Sequence, residues 1–217
     1  MKKIKNGSKS KKAIVYEYLK SRIINNQINP GEPLNEGVLS KELKISKTPV
    51  REAMGQLEKE GFIESIPVKG AFVSMISFQD IRELFEIREV LECEVIRRAA
   101  LKADPERVEA IREKFISLES NNKKASAGHF KSGDEVHAFI FETFGNKRLK
   151  EIYKRLQDHV VRSRIHFFNQ TPSGRSEEAF KEHLEILDAL KAQDPVRAEK
   201  AVRDHLQNSL EYVKKMM

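Results

Sequence analysis

From residue 77 to the end, apolar residues recur with helical spacing and no alternating segment interrupts them, whereas the first 76 residues are cut into short pieces by turn formers. This contrast constrains the fold more than any other feature. A long stretch with a period near 3.6 and no strand signal can bury its stripes only against other helices. The helical segments read as about 78–102, 105–122, 126–144, 147–168, 175–192 and 195–215. Asp104-Pro105 and Asp194-Pro195 open two of them, each with Asp as N-cap and Pro at the first helical position. Short connections between such helices predict an antiparallel bundle.

The N-terminal third has a different grammar. A helical pattern runs from about Lys11 to Asn26, with Ile14, Val15, Tyr18, Leu19 and Ile23 on one face, and Asn29-Pro30-Gly31 breaks it. A short helix is expected from about Glu36 to Leu43, with Asn35 as N-cap and Leu34 packing on Leu39 as a staple. The next is expected to begin at Thr48-Pro49, with Thr48 as cap, and to end at Gly61. Phe62 to Ile66 and Ala71 to Ser74 then read as two short strands joined at Pro67-Val68-Lys69-Gly70. The order helix, helix, helix, hairpin predicts a winged helix-turn-helix. The expected organisation is a disordered basic tail over 1–10, a winged helix over 11–76 and an all-helical domain over 77–217. The fold class is therefore mainly α, with one small β-hairpin.

Charge follows the same division. Residues 1–76 hold 14 Lys and Arg against 8 Asp and Glu, and residues 77–217 hold 26 against 25, so the net charge of +7 sits almost wholly in the first unit. Such asymmetry fits a phosphate-bearing partner, although the lysines before residue 13 would also serve as a solubility tail. Cys93 is the only cysteine, so no intrachain disulfide is possible, consistent with a reducing cytosol. The basic N-terminus lacks an apolar run after it and does not read as a signal peptide. No apolar stretch reaches membrane-spanning length.

A helix-turn-helix lays its second helix in the major groove. On that helix Lys47, Thr48, Arg51 and Gly55 fall opposite the apolar Val50, Met54 and Leu57. Arginine can fork to guanine O6 and N7, while Thr and Lys can serve phosphates or base edges. Lys69 and Gly70 sit at the hairpin tip, where a wing would touch the minor groove or backbone. The plainer reading of the same face is a solvated stripe with a few cations.

Ile28-Asn29-Pro30-Gly31-Glu32-Pro33-Leu34-Asn35-Glu36, Leu39-Ser40-Lys41-Glu42-Leu43, Ser46 to Met54, Leu57 to Ile63 and Lys69-Gly70-Ala71-Phe72-Val73 together resemble the winged-helix signature of the GntR family. The resemblance implies that Lys47, Thr48 and Arg51 contact operator DNA, with the wing glycine at Gly70. Two departures bear on the operator sequence. Lys47 stands where the family usually has Arg, which loses the bidentate fork, and Gly37 stands where many members have a DNA-contacting Arg.

In the helical part, polar residues interrupt apolar stripes. Arg88 falls among Ile81, Leu84, Phe85, Leu91 and Val95, where it needs either an internal partner, with Glu92 one turn on, or a ligand carboxylate. His137, His183 and His205 each lie on an apolar stripe, and Asp134 shares a face with His137. Converging from three helices, one carboxylate and three imidazoles would hold a divalent transition metal such as Zn, Ni or Mn. Each histidine alone reads more readily as a satisfied core residue, and it is the coincidence of three that points to a site.

Leu84 to Glu92, His137 with Gly145-Asn146, Glu182-His183 and Arg203 to Leu206 are similar to the FCD effector domain of the FadR subfamily. The resemblance implies a metal held by Asp134, His137, His183 and His205, with Arg88 near a pocket for a small carboxylate effector. In this chain the usual Asp position, four residues before the first His, is Gly133, and Asp134 lies one residue later. The expectation is a cytoplasmic, nucleoid-associated bacterial transcription regulator, and specifically a repressor. It would be a homodimer on a near-palindromic operator, with effector binding changing DNA affinity. With no nucleophile motif and no general base beside the histidines, it is not expected to be an enzyme. The competing readings are a metal-dependent hydrolase built on the His cluster and an architectural DNA binder without effector.

Overall fold

The computed structural model describes residues 9–121, 126–168 and 174–216. The basic stretch over 1–10 lies outside these except for Lys9 and Ser10. The chain divides into two compact units, one ending at Ile76 and the other beginning at Ser77.

In the first unit, α1 (Lys11–Ile24) starts where the Ser10 hydroxyl accepts the Ala13 N–H at 3.2 Å. Its buried face, Val15, Leu19 and Ile23, packs on α3 (Lys47–Lys59) through Val50, Ala53, Met54 and Leu57. Removing a side chain of this size from water contributes about 1.5–3 kcal/mol, so these residues, with buried Phe62, hold the unit together. Between them α2 (Glu36–Leu43) is capped by the Asn35 side-chain oxygen, which accepts from Gly37 at 2.8 Å and Val38 at 3.1 Å. It stops at Lys44, a left-handed residue with φ 55°.

The third helix begins earlier than its Thr48-Pro49 pair suggests. Ser46 is the cap residue and Lys47 the first helical residue, which puts Pro49 at the third position. Proline is tolerated there because none of the first helical N–H groups has an intrahelical partner to lose. Of the hairpin strands, β2 (Ile63–Ile66) pairs antiparallel with β3 (Gly70–Val73), with Ile63 opposite Val73 and Ile66 opposite Gly70. A third strand, β1 (Pro33–Leu34), joins the other edge of β3, Leu34 opposite Ala71. Two residues long and containing proline, it has no period to read; the Gly31 N–H bonded to the Val73 carbonyl at 2.8 Å fixes it in place. At the hairpin tip Gly70 takes φ 97°, and Val68 takes φ 69° while fully exposed. A left-handed conformation is costly for a β-branched residue.

Among the described residues, the regular elements of the second unit are all helices. α4 (Phe78–Ala100) opens with a capping box between Ser77 and Asp80. α5 (Pro105–Asn121) and α9 (Pro195–Met216) both begin on the expected prolines. Asp104 accepts the Glu106 N–H at 3.0 Å, and Asp194 accepts Val196 at 3.1 Å and Arg197 at 3.0 Å. α6 (Ser126–Phe144), α7 (Lys147–Phe168) and α8 (Gly174–Lys191) complete the set. α4 packs along α9, and α9 along α8, while α6 touches α4, α5, α7 and α8. The core joins Ile96 and Ala99 of α4, Ile140 and Phe141 of α6, Leu187 and Leu190 of α8, and Val202 and Leu206 of α9. Among the described residues, no helix is long and apolar enough to cross a membrane.

Candidate functional site

On α3 the apolar residues Val50, Met54 and Leu57 are buried, which turns Lys47, Thr48 and Arg51 outward, all exposed. Arg51 is anchored: its Nε lies 2.9 Å from Oε1 and its Nη2 2.8 Å from Oε2 of Glu36, the first residue of α2. The Gly55 α-carbon faces open space, with nothing within 4 Å of where a Cβ would stand. Lys69 and Gly70 are exposed at the turn between β2 and β3.

In the helical unit His137 of α6, His183 of α8 and His205 of α9 converge, all buried. The Nε2 of His137 lies 3.3 Å from the Nε2 of both His205 and His183. The Nδ1 atoms of His183 and His205 each face an oxygen that can only accept. His183 Nδ1 donates to the Ala179 carbonyl at 2.6 Å, and His205 Nδ1 to Oε2 of Glu182 at 2.7 Å. His137 Nδ1 lies 2.6 Å from Oε2 of Glu92. These hydrogen bonds assign the protons of His183 and His205 to Nδ1, which leaves their Nε2 lone pairs facing the ring nitrogen of His137. That arrangement suits a shared cation. The donor set, three imidazoles oriented by carboxylates or a carbonyl, fits a divalent transition metal.

The electrostatics keep His183 and His205 uncharged. Burial pushes His183 well below the ordinary imidazole value, and the neighbouring His205 and His137 add to the shift. Burial likewise lowers His205 to about 4, against the opposing pull of Glu182. Burial would raise Glu92, but Arg88 and His137 overcome it and hold the carboxyl at about 2. Glu182 is also held at about 2, where hydrogen bonds from His205 and Arg175 outweigh burial.

Asp134 is not part of this convergence. Its Oδ1 accepts from Gln157 at 2.5 Å and from Arg164 at 2.6 Å, both on α7. At three residues before His137 it leans toward α7, away from the ring nitrogens. The residue one place earlier, Gly133, backs directly on His183: a Cβ there would stand 2.7 Å from Cε1 and 3.0 Å from Nε2. Arg88 is buried with its Nε on Oε1 of Glu92 at 2.6 Å and its guanidinium carbon 5.1 Å from the Phe85 ring centroid. The internal partner considered for it is thus present, and Arg88 also lines the cavity. This cavity, about 90 Å³, lies beside the imidazoles, with Phe85, Phe115, Phe167 and Phe180 on its apolar side and Arg164 and Arg175 among its charged groups.

Sequence reasoning missed Arg175, and it met Glu182 only as part of a motif, without a role. Arg175 forks onto Glu182 at 2.8 and 2.6 Å and also reaches the Ser209 hydroxyl at 2.8 Å. Two Arg–Glu–His chains thus flank the cluster, one through Arg88 and Glu92, the other through Arg175 and Glu182. The available signal was the spacing of seven between Arg175 and Glu182, two helical turns on one face.

The family model described as bacterial regulatory proteins, gntR family, matches residues 11–73, and that of the FCD domain matches residues 83–208. The chain is 29% identical over 206 residues to the HTH-type transcriptional repressor RspR of Escherichia coli (strain K12), covering 93% of this chain and 88% of that one. It is 26% identical over 204 residues to the HTH-type transcriptional regulator YdhC of Bacillus subtilis (strain 168), covering 93% and 90%. Among solved structures, E. coli McbR/YncC shares the fold with a TM-score of 0.79 at 20% identity, over 96% of this chain and 99% of that one.

Proposed function

The chain belongs to the GntR family of bacterial regulatory proteins and carries an FCD domain, and on that footing we propose that it is a metal-dependent transcriptional repressor whose helical domain senses a small carboxylate. At the coarser level it is a DNA-binding transcription regulator with an effector-binding FCD domain, and its family and relatives are regulators rather than enzymes. FCD domains can bind metal ions.

The observation that carries the finer reading is the meeting of three buried Nε2 atoms, each ring with an acceptor oxygen within 2.7 Å of its Nδ1. His137, His183 and His205 would hold the metal, and Asp134, engaged by Arg164 and Gln157, stays outside the ligand set. A bound divalent ion would supply a Lewis-acid site that attracts a carboxylate. The residues around it do the rest. Glu92 and Glu182 keep the proton on Nδ1 of His137 and His205. Arg88, with its Nε edge fixed by Glu92, offers a cationic wall for the carboxylate, and the phenylalanine side takes the remainder of the molecule.

In the first unit Lys47, Thr48 and Arg51 would read the major groove while Lys69 and Gly70 approach the backbone or minor groove. The repressor assignment draws on the name of the relative RspR. A cytoplasmic homodimer on a two-fold operator completes the proposal. Effector would bind one arrangement of the helical unit more tightly and so shift DNA affinity.

Elemental analysis of protein purified without added metal, followed by selection of genomic DNA fragments with and without chelator, tests the reading. Bound Zn, Ni or Mn near one per chain, and a shared inverted repeat beside promoters, are expected. A chain indifferent to both chelator and added metal would refute the metal-dependent part. Retention of DNA without any common sequence would refute the operator-reading part.

A further inference from the structure

Glu36 presents a carboxylate where a DNA-reading surface would be expected to avoid one. It stands at the first position of α2, with its side chain 31% exposed, and grips Arg51, which is itself 71% exposed. Exposed ion pairs of this sort add little to stability. A negative charge beside the groove also opposes phosphates, which weakens binding to any DNA. The positive end of the α2 dipole favours a carboxylate there by about 0.3–1 kcal/mol, but neither that nor raw affinity accounts for the bidentate grip on Arg51.

The geometry of the grip does. A guanidinium carries five N–H donors on two usable edges. Glu36 takes the side edge, through Nε at 2.9 Å and Nη2 at 2.8 Å. The end edge, formed by Nη1 and the second N–H of Nη2, turns away from Glu36. An end edge held at a fixed angle is the fork that meets guanine O6 and N7. An arginine held in this way has already given up part of the rotamer freedom that it would otherwise lose on binding, and a swing to the nearest phosphate must first break the pair.

We propose that Glu36 is a positioning residue for Arg51, which presents the end edge of the guanidinium to a base, discourages phosphate contacts, and sets selectivity for operator over other DNA at the expense of general affinity. The inference rests on Arg51 as a base-contacting residue, and the test separates the two.

A duplex enriched by the wild-type chain from a random-sequence pool serves as the operator probe, and a scrambled duplex of equal length and composition as the competitor. Affinities for both are measured by fluorescence anisotropy on the full chain. Glu36→Ala is expected to tighten the scrambled duplex several-fold and to lower the operator-to-scrambled ratio about tenfold. Glu36→Gln, with one acceptor oxygen at the same reach, recovers part of that ratio. With Arg51→Ala in place, Glu36→Ala changes the ratio no further. Equal loss on both duplexes would mark Glu36 as merely structural and overturn the inference. So would an unchanged ratio, or a full effect persisting without Arg51, which would make Glu36 itself the reader of a cytosine amino group. Arg51→Ala with wild-type selectivity, or a pool that yields no shared sequence, would overturn the underlying reading of Arg51.

Discussion

Alanine in place of Gly133 perturbs the three-imidazole cluster at its tightest point. The new methyl carbon would stand 2.7 Å from Cε1 and 3.0 Å from Nε2 of His183, against about 3.5–4.0 Å for relaxed carbon contacts. The ring must therefore retreat by several tenths of an ångström. It has little room to do so, with Nδ1 tied to the Ala179 carbonyl at 2.6 Å and the ring against Phe115 at 5.6 Å between centroids. Helix propensity works the other way, since Gly to Ala inside a helix gains about 1 kcal/mol, while overpacking of a filled site costs about 1–3 kcal/mol. Stability should therefore change little or fall by up to about 2 kcal/mol. Metal affinity is the decisive quantity. Ligand positions must hold to about 0.2 Å, so displacement of one of three imidazoles should weaken binding about 10–100-fold, on the scale of a lost supporting group. Competition against a fluorescent chelator gives the affinity, and urea unfolding followed by far-UV circular dichroism gives the stability. Wild-type metal affinity in Gly133→Ala, with stability also unchanged, would refute the placement of His183 against Gly133 and its role as a ligand.

Three further outcomes follow from the same geometry. Glu92→Gln and Glu182→Gln should each lower metal affinity about 10–100-fold, whereas Asp134→Asn should leave it within about twofold, as read by the same competition assay. In metal-free protein, His205 stays neutral down to about 4 while the unfolded chain takes its proton near the ordinary value. The unfolded state thus binds more protons between roughly pH 6.5 and 4, so stability should fall as pH drops through that window, by at most about 3 kcal/mol from this group. Below it Glu92 and Glu182, held at about 2, add a further loss as they protonate; urea midpoints that stay flat from pH 7 to 4 would contradict the buried neutral imidazole. Val68→Gly should relieve the left-handed strain at the hairpin tip and stabilise the first unit by up to about 1 kcal/mol, visible as a raised urea midpoint.

Much of this was legible in the sequence because the signals are local. Periodicity and proline-capped starts placed all six helices of the second unit within a residue or two of α4 to α9, since the core stripe and the caps lie within each helix. The three histidines stood out for the same reason, each a polar residue on an apolar stripe. What was illegible depends on partners brought together by tertiary structure. β1 exists only because β3 pairs with it. The contact of Glu182 with His205 joins α8 to α9, and no spacing within one helix announces it. The position of Asp134 was readable to the correct turn of α6, but not the pull of Arg164 and Gln157 on α7, which decides where its carboxylate goes. The start of α3 moved because proline is equally at home at several first-turn positions, so its place in the sequence does not fix the cap.

The paired charges around the cavity carry a consequence for what the second unit can accept. Arg88 is matched by Glu92, Arg164 by Asp134 and Arg175 by Glu182, so these three pairs sum to zero, and burial keeps His183 and His205 neutral beside them. A divalent ion would arrive in this poorly screened interior with both its charges uncompensated, and electroneutrality would then favour an anion alongside it. Cation and anion would each raise the affinity for the other by the same factor, as thermodynamic linkage requires. The histidine cluster and the cavity would thus behave as one binding unit for a cation together with its anion, responsive to the product of two concentrations rather than to either alone.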